Sequence, residues 1–268
     1  MANLFIVPHD FTSVGDAALK YALFIGKPRN SKIELLHIVK DKSAGRAAHE
    51  KLSKIIADLK LGPGDVEVTP LVKVGNIFDD IGKIAEDKEA KLIIMGTHGA
   101  KGMQKVFGSY AIKIITSSSV PFLVVQDTEP SNKIKNIVVP IDLSKESLQI
   151  INIAGDIARM FNSKVSVIGA KQSDPRLAQQ IKIRISLVKK EFQEKEVNSE
   201  IHIIDGSKSF QAKIIEFAKS VDADLIALAY HSSSMFPQFD NYAQSLITNE
   251  ENIPCLIVNA KLLSKLYY

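Results

Sequence analysis

Between residues 96 and 109 the chain reads Gly96-Thr97-His98-Gly99-Ala100-Lys101-Gly102-Met103-Gln104-Lys105-Val106-Phe107-Gly108-Ser109, and the apolar-periodic run Tyr110-Ala111-Ile112-Lys113-Ile114-Ile115 follows. Glycines let backbone N–H groups approach an anion closely, and Ser109 falls where a helix N-terminus offers unpaired N–H groups and the positive end of its dipole. The chemistry this favours is the cradling of a phosphate. An ordinary glycine-rich turn has the same composition, so the loop gains meaning from what else the fold brings to it. The second candidate is Pro8-His9-Asp10, which closes an apolar run. A carboxylate there would accept hydrogen bonds from a base or ribose, whereas as a cap for the helix that follows it needs no ligand.

The other reactive residues carry less. Six histidines (His9, His37, His49, His98, His202 and His231) form no H-x3-H pair, and one cysteine cannot supply C-x2-C, so no dedicated zinc site is expected. His98 sits inside the loop, where it would support the turn or stand near a phosphate. Neither G-x-S-x-G nor G-x4-G-K-[ST] occurs, which removes the usual serine hydrolase and the Walker-type NTPase. Ser117-Ser118-Ser119 reads as a helix exit before Pro121, and Ser232-Ser233-Ser234 as a solvated loop. Lys101 and Lys105 would neutralise phosphates over the loop or face water.

The elements that must position these residues follow from periodicity. Short, nearly continuous apolar runs at Leu4–Pro8, Lys32–Val39, Val66–Val74, Lys91–Met95 and Pro121–Val125 read as strands buried on both faces, separated by stretches of helical period. The first helix is expected to start at Thr12 or Ser13, with a hydroxyl capping free N–H groups and Asp16 completing a capping box with Ser13. Leu52, Ile55, Ile56 and Leu59 give the next helix a buried stripe. In such an α/β sheet ligands settle beyond the carboxyl ends of the strands where the winding reverses, and if the first and fourth strands are neighbours, Pro8-His9-Asp10 and the glycine loop meet there.

The pattern occurs twice. Ile6-Val7-Pro8-His9-Asp10-Phe11-Thr12 is answered by Val138-Val139-Pro140-Ile141-Asp142-Leu143-Ser144 at an offset of 132, and Val120-Pro121-Phe122-Leu123-Val124-Val125 by Ile253-Pro254-Cys255-Leu256-Ile257-Val258 at 133. So small a drift implies two copies of one fold, residues 1–128 and 133–268, joined by the polar stretch Asp127-Thr128-Glu129-Pro130-Ser131-Asn132. Ser144 stands at the equivalent helix start, and Leu177, Ile181, Ile185 and Val188 form the equivalent stripe. In the second copy Gly96, Gly99, Gly102 and Gly108 become Ala229, Ser232, Met235 and Asn241, Tyr242 replaces Ser109, and Pro237 and Phe239 enter the arm. Close backbone approach to a phosphate is therefore expected in the first copy only.

Composition excludes several classes. With 46% hydrophobic and 24% charged residues the chain can bury full cores. No apolar run approaches the roughly 18 residues needed to span a bilayer, and the N-terminus lacks the basic region of a signal peptide. A net charge of +4 is scattered among acids, with no tryptophan and no nucleic-acid module. Cys255, the single cysteine, lies in an apolar run and reads as a buried hydrophobe, which suits a reducing compartment. A cytoplasmic protein with no membrane and no nucleic-acid partner is expected.

Gly96-x2-Gly99 with Gly108-Ser109, together with Pro8-His9-Asp10, resembles the universal stress protein family, over essentially the whole chain in tandem. ATP-binding members carry G-x2-G-x9-G-[S/T]; here eight residues, Ala100 to Phe107, stand where the family has nine, and Tyr110 is bulkier than the usual aliphatic residue. The resemblance implies two Rossmann-like α/β domains, each a five-stranded parallel sheet of order 3-2-1-4-5 with helices on both faces. It also implies that Pro8 closes the first strand beside the ligand, that Asp10 and the backbone of Ile38 contact adenine, that Met95, Gly96 and Gly99 line ribose and phosphates, and that Gly108, Ser109 and Tyr110 hold the phosphates.

The function expected is a stress-response regulatory protein that binds ATP, ADP or AMP in its first domain, a triphosphate bringing Mg2+ held mainly by its own oxygens. Its occupied state would alter contacts with an unidentified protein partner. The resemblance further implies pairing of the fifth strands, here within one chain, and leaves a homodimer open. Two alternatives remain: a slow ATP hydrolase or adenylate-handling enzyme using Asp10 or His98, and an interaction scaffold without nucleotide.

Overall fold

Phe5, Ile6 and Val7 are all buried, although neighbouring strand residues face opposite sides of a sheet. Their strand, β1 (Leu4–Pro8), is thus covered on both faces, and the same holds for β4 (Leu92–Gly96) and β5 (Phe122–Val125). The computed structural model describes residues 3–97, 107–131, 133–230 and 241–260. The chain divides into two compact units, Met1–Pro130 and Ser131–Tyr268.

In the first unit β2 (Lys32–Val39) pairs with β1, β3 (Glu67–Val74) with β2, β4 with β1 and β5 with β4, all parallel, so the order is β3-β2-β1-β4-β5. The winding reverses between β1 and β4. Helix α1 (Ser13–Gly26) packs on β1 and β4 through a face rich in small residues, Gly15, Ala17, Ala18 and Ala22, which lets its backbone approach the sheet closely. Helix α2 (Gly45–Asp58) covers β3 and β2. Of its stripe, Leu52 is fully buried while Ile55, Ile56 and Leu59 are half-buried, because β3 is the edge of the sheet. Helix α3 (Ile77–Asp87) is capped by Asn76, whose side chain accepts from the Phe78 N–H, and packs against α4 (Phe107–Ile115). The serine run after α4 is a helix exit, held by Glu86 Oε1, which accepts from the Ser118 and Ser119 hydroxyls and the Ser119 N–H.

The expected capping box at α1 does not form. Thr12 holds the cap position with its backbone carbonyl receiving the N–H groups of Gly15 and Asp16, but its hydroxyl makes no capping bond. The Thr12 hydroxyl donates instead to Asp10, the Ser13 hydroxyl to Asp127, and Asp16 accepts from His9. One of these partners is distant in sequence, Asp127, and the other two bonds stay within seven residues, so the capping pattern loses to both kinds.

The second unit repeats the plan. Strands β6 (Asn136–Ile141), β7 (Lys164–Ala170), β8 (Ser199–Ile204), β9 (Leu225–Tyr230) and β10 (Cys255–Asn259) form a parallel sheet of order β8-β7-β6-β9-β10. Helices α5 (Ile151–Phe161), α6 (Pro175–Glu194), α7 (Phe210–Ser220) and α8 (Asn241–Ile247) complete it. Asp174 caps α6 by accepting from the N–H groups of Arg176 and Leu177, and Ile181, Ile185, Val188 and Phe192 form its buried stripe with Leu177 half-buried at its end. The start of α5 differs from that of α1: Ser144 caps a 3-10 segment, Lys145–Ile150, by accepting from the Ser147 N–H. Both units are thus α/β and Rossmann-like, with one strand order. Among the described residues no helix is long and apolar enough to cross a membrane.

Candidate functional site

The site of the first unit begins with how β2 outruns β1. In a parallel ladder the N–H and C=O of one residue point to the same neighbour, and alternate residues point to alternate neighbours. The His9 N–H donates to the Leu36 carbonyl, and the Gly75 N–H to that of Val39. Ile38, two residues beyond Leu36, therefore turns its N–H and C=O toward the β1 side, past Pro8 where β1 stops. Backbone polarity is left facing open space beyond the end of β1.

That space is a cavity of about 220 Å3. Pro8, His9 and Asp10 line it from the end of β1, Leu36, His37 and Ile38 from β2, Met95, Gly96 and Thr97 from β4, and Val14 and Gly15 from α1. Ile77 and Ile81 of α3 with Tyr110, Ala111 and Ile114 of α4 supply the apolar remainder. It is smaller than the roughly 300–1,000 Å3 of complete small-molecule sites, so the described residues by themselves leave room for only part of a molecule of nucleotide size.

Six residues singled out in the sequence, Pro8, Asp10, Ile38, Met95, Gly96 and Tyr110, meet at this one cavity. Gly108 and Ser109 stand in the first turn of α4, where helical N–H groups lack intrahelical acceptors. Gly99 and His98 lie outside the described residues, as do Gly102, Lys101 and Lys105. Tyr110 does not fill the cavity: its ring leans on Phe78 with centroids 5.3 Å apart and it is 45% exposed, while Lys113 Nζ lies over the other aromatic of the pair, 4.3 Å from the Phe78 centroid.

Asp10 has a local task. Its Oδ1 accepts from the Thr12 N–H at 3.1 Å and the Thr12 hydroxyl at 2.5 Å. Asp142 makes the same turn with Ser144, at 2.7 and 2.5 Å. Both copies therefore use this aspartate to build the strand-to-helix corner, whatever else it touches.

Gly96 has a steric task as well. A Cβ at this position would stand 2.5 Å from the carbonyl carbon of Val14 and closer still to its oxygen, so only glycine lets the first turn of α1 settle on the end of β4. The second unit carries Ala229 here, and its helix opens with a 3-10 segment instead of an α-turn. The change of residue and the change of helix start go together.

Periodicity and motif spacing passed over His9 and His37. His9 is 3% exposed, and its ring packs where a Cβ on Gly15 would lie 3.1 Å away. His37, at the end of β2, hydrogen-bonds the carbonyl of His9. The signal was present in the repeat: at the offset of 132 these two become Ile141 and Gly169, so one copy alone keeps the imidazoles. Their ring nitrogens do not converge on one point, and among the described residues no group of three His, Cys, Asp or Glu side chains could hold a metal ion.

Comparison with known proteins agrees with this architecture. The model of the universal stress protein family matches residues 1–126 and again 133–258. A universal stress protein of Methanocaldococcus jannaschii is 25% identical over 155 residues, 47% of this chain and 96% of its own length. A crystal structure of a universal stress protein from Archaeoglobus fulgidus DSM 4304 is similar over 97% of this chain and 99% of its own, with a TM-score of 0.77 at 17% identity. A protein of unknown function from Pseudomonas aeruginosa PAO1 is similar over 98% of both chains, with a TM-score of 0.69 at 18% identity.

Proposed function

The chain belongs to the universal stress protein family in both of its units, and from that premise we propose that it is a regulatory protein of the stress response that holds an adenine nucleotide in its first unit. The carrying observation is the cavity at the switch point between β1 and β4, where the unengaged backbone of Ile38 and the first turn of α4 border one space. In this reading the base lies between Asp10 and the backbone of Ile38. The ribose and phosphates run along Met95, Gly96 and Gly99 to Gly108, Ser109 and Tyr110. A triphosphate brings Mg2+ on its own oxygens and water, since the described lining residues supply one carboxylate, that of Asp10.

Restriction to the first unit is supported by the loss of glycine at Ala229, by the altered helix start, and by Ile141 and Gly169 in place of the imidazoles. The second unit then serves as an internal partner. Each fifth strand, β5 and β10, stands last in the strand order of its own unit, and an apolar strand in that place calls for a neighbour. No catalytic base is assigned. Nucleotide acts by shifting the population between two states of the first unit, which changes a surface read by another protein in the cytoplasm.

The test is direct. Protein purified under native conditions is heat-denatured and its supernatant analysed for adenine nucleotides, alongside calorimetric titration with ATP, ADP and AMP. One nucleotide per chain is expected. Gly99→Val and Ser109→Ala abolish the signal, and Ser232→Val leaves it intact. Absence of nucleotide in both measurements overturns the reading in favour of a scaffold, and release of ADP and phosphate that disappears in Asp10→Ala would turn it toward an enzyme.

A further inference from the structure

Strands β3 and β8 hold the same place in their units, and among the described residues each is paired on one side only, with β2 and with β7. Alternate residues of a parallel strand turn their backbone groups to alternate sides. The Gly75 N–H donates to the Val39 carbonyl, so Val68, Pro70 and Val72 turn away from β2. The N–H groups of Val165 and Lys171 donate to the carbonyls of Asn198 and Ile204, so Ser199, Ile201 and Ile203 turn away from β7. Pro70 stands opposite Leu35 and Ile201 opposite Val167, which are partners at the repeat offset of 132. The two positions therefore correspond.

Proline has no N–H to offer, so Pro70 blunts the first unit's edge against a further strand. The second unit carries Ile201 at that point, and the N–H and C=O groups of Ile201 and Ile203 are free to pair. Burial differs in the same sense. Val68, Pro70 and Val72 are half-buried, whereas Ile201 and Ile203 are 36% and 48% exposed. The Ile203 side chain lies on the α6 side of the sheet, since a Cβ on Gly169 would meet its Cδ1 at 3.6 Å and that of Ile185 of α6 at 3.0 Å. Unpaired backbone and exposed apolar side chains coincide on two residues.

The charge beside this edge is basic. Helix α5 meets one flank of α6, where a Cβ on Gly155 would lie 3.1 Å from Lys195 Cδ and 3.5 Å from the Phe192 ring. By helical period Lys182 and Lys189 share the opposite flank, and because α6 packs on β7 and β8 while α5 packs on β6, that flank borders the open edge. Arg176, Lys190 and Lys195 of α6 have carboxylates within reach in Asp174, Glu194 and Glu191. Lys182 and Lys189 are exposed and have none among the described residues. A second copy paired through β8 about a two-fold axis would set these lysines against their own kind, a repulsion that an acidic strand avoids.

We propose that β8 is a docking edge for an extended acidic segment of a partner protein. The segment adds as a further strand, its backbone bonding to Ile201 and Ile203, its apolar side chains lying beside theirs, and its carboxylates meeting Lys182 and Lys189. The edge lies in the second unit, so its use does not depend on nucleotide in the first.

The probe is a capped synthetic peptide in which every second residue is threonine and those between are alternately valine and glutamate, with a control in which lysine replaces glutamate. Binding to the full chain is followed by NMR. The glutamate peptide shifts the amide resonances of Ile201 and Ile203 and slows their hydrogen exchange, which is fast in the free protein, while the lysine peptide does neither. Ile201→Pro copies the first unit's proline and leaves the bonds to β7 intact, since those run through Glu200, His202 and Ile204; it abolishes binding. Lys182→Glu with Lys189→Glu leaves the strand untouched and weakens binding about tenfold, a readout that holds even if Ile201→Pro fails to fold. Equal binding of the two peptides, absence of binding, or binding indifferent to the lysine changes overturns the proposal. Protection of Ile201 and Ile203 that grows with protein concentration alone also overturns it, assigning the edge to a second copy.

Discussion

Gly96 lies directly beneath the carbonyl of Val14, whose carbon would be 2.5 Å from any Cβ placed on residue 96. The end of β4 and the start of α1 meet at this point, and both line the cavity. A single methyl group therefore tests whether the helix start and the cavity are one construction. Gly96→Ala is expected to destabilise the first unit by roughly 1–3 kcal/mol, the usual cost of overpacking, and to abolish nucleotide binding in the same variant. Calorimetric unfolding with and without AMP measures both. A variant of wild-type stability would mean that α1 shifts freely, as the 3-10 start of the second unit suggests a helix can when residue 229 is alanine.

Gly15 and His9 should be energetically coupled. Within a helix Gly→Ala is ordinarily stabilising by roughly 0.5–1 kcal/mol, but a Cβ on Gly15 meets the His9 ring at 3.1 Å. In wild type the gain from Gly15→Ala is cancelled or reversed; in a His9→Ala background it reappears. Denaturant unfolding of the four proteins gives the coupling energy, and simple additivity would show that the ring gives way without cost.

Thr12 and Ser144 occupy matching positions but do different work. Ser144 both contacts Asp142 and caps its helix by accepting from the Ser147 N–H, whereas the Thr12 hydroxyl only donates to Asp10. Loss of an N-cap costs about 1 kcal/mol, so Ser144→Ala should lower stability clearly more than Thr12→Ala, as read from paired thermal melts.

Cys255 should be chemically silent in the folded protein. Burial pushes its thiol well above the ordinary range, and its Sγ points at the Leu246 carbonyl 3.1 Å away. Because the thiolate is the nucleophile, a disulfide reagent at mildly alkaline pH reacts only as fast as the chain opens. Full reactivity appears in denaturant, where the thiol returns to its usual pKa. Rapid labelling under native conditions would contradict the buried position.

Much of this molecule was legible in the order of its residues. The strands read from apolar runs agree with those observed to within a residue, Lys91–Met95 against Leu92–Gly96 for example, because burial on both faces of a parallel sheet writes itself as an unbroken apolar run. Duplication was readable from two matching segments whose offsets, 132 and 133, differ by a single residue. Hydrophobic period, glycine and proline act within a few residues of themselves, and these are the things a sequence alone can declare.

Partnerships were decided elsewhere. Ser13 and Asp16 look like a capping box, yet their bonds go to Asp127, 114 residues on, and to His9. Gly96 looks like part of a phosphate loop, yet its backbone is needed to clear Val14. The proton of His37 is placed by a carbonyl 28 residues away. Each outcome depends on which groups the fold brings within about 3 Å, a distance that exists only once β1, β2, β4 and α1 have come together.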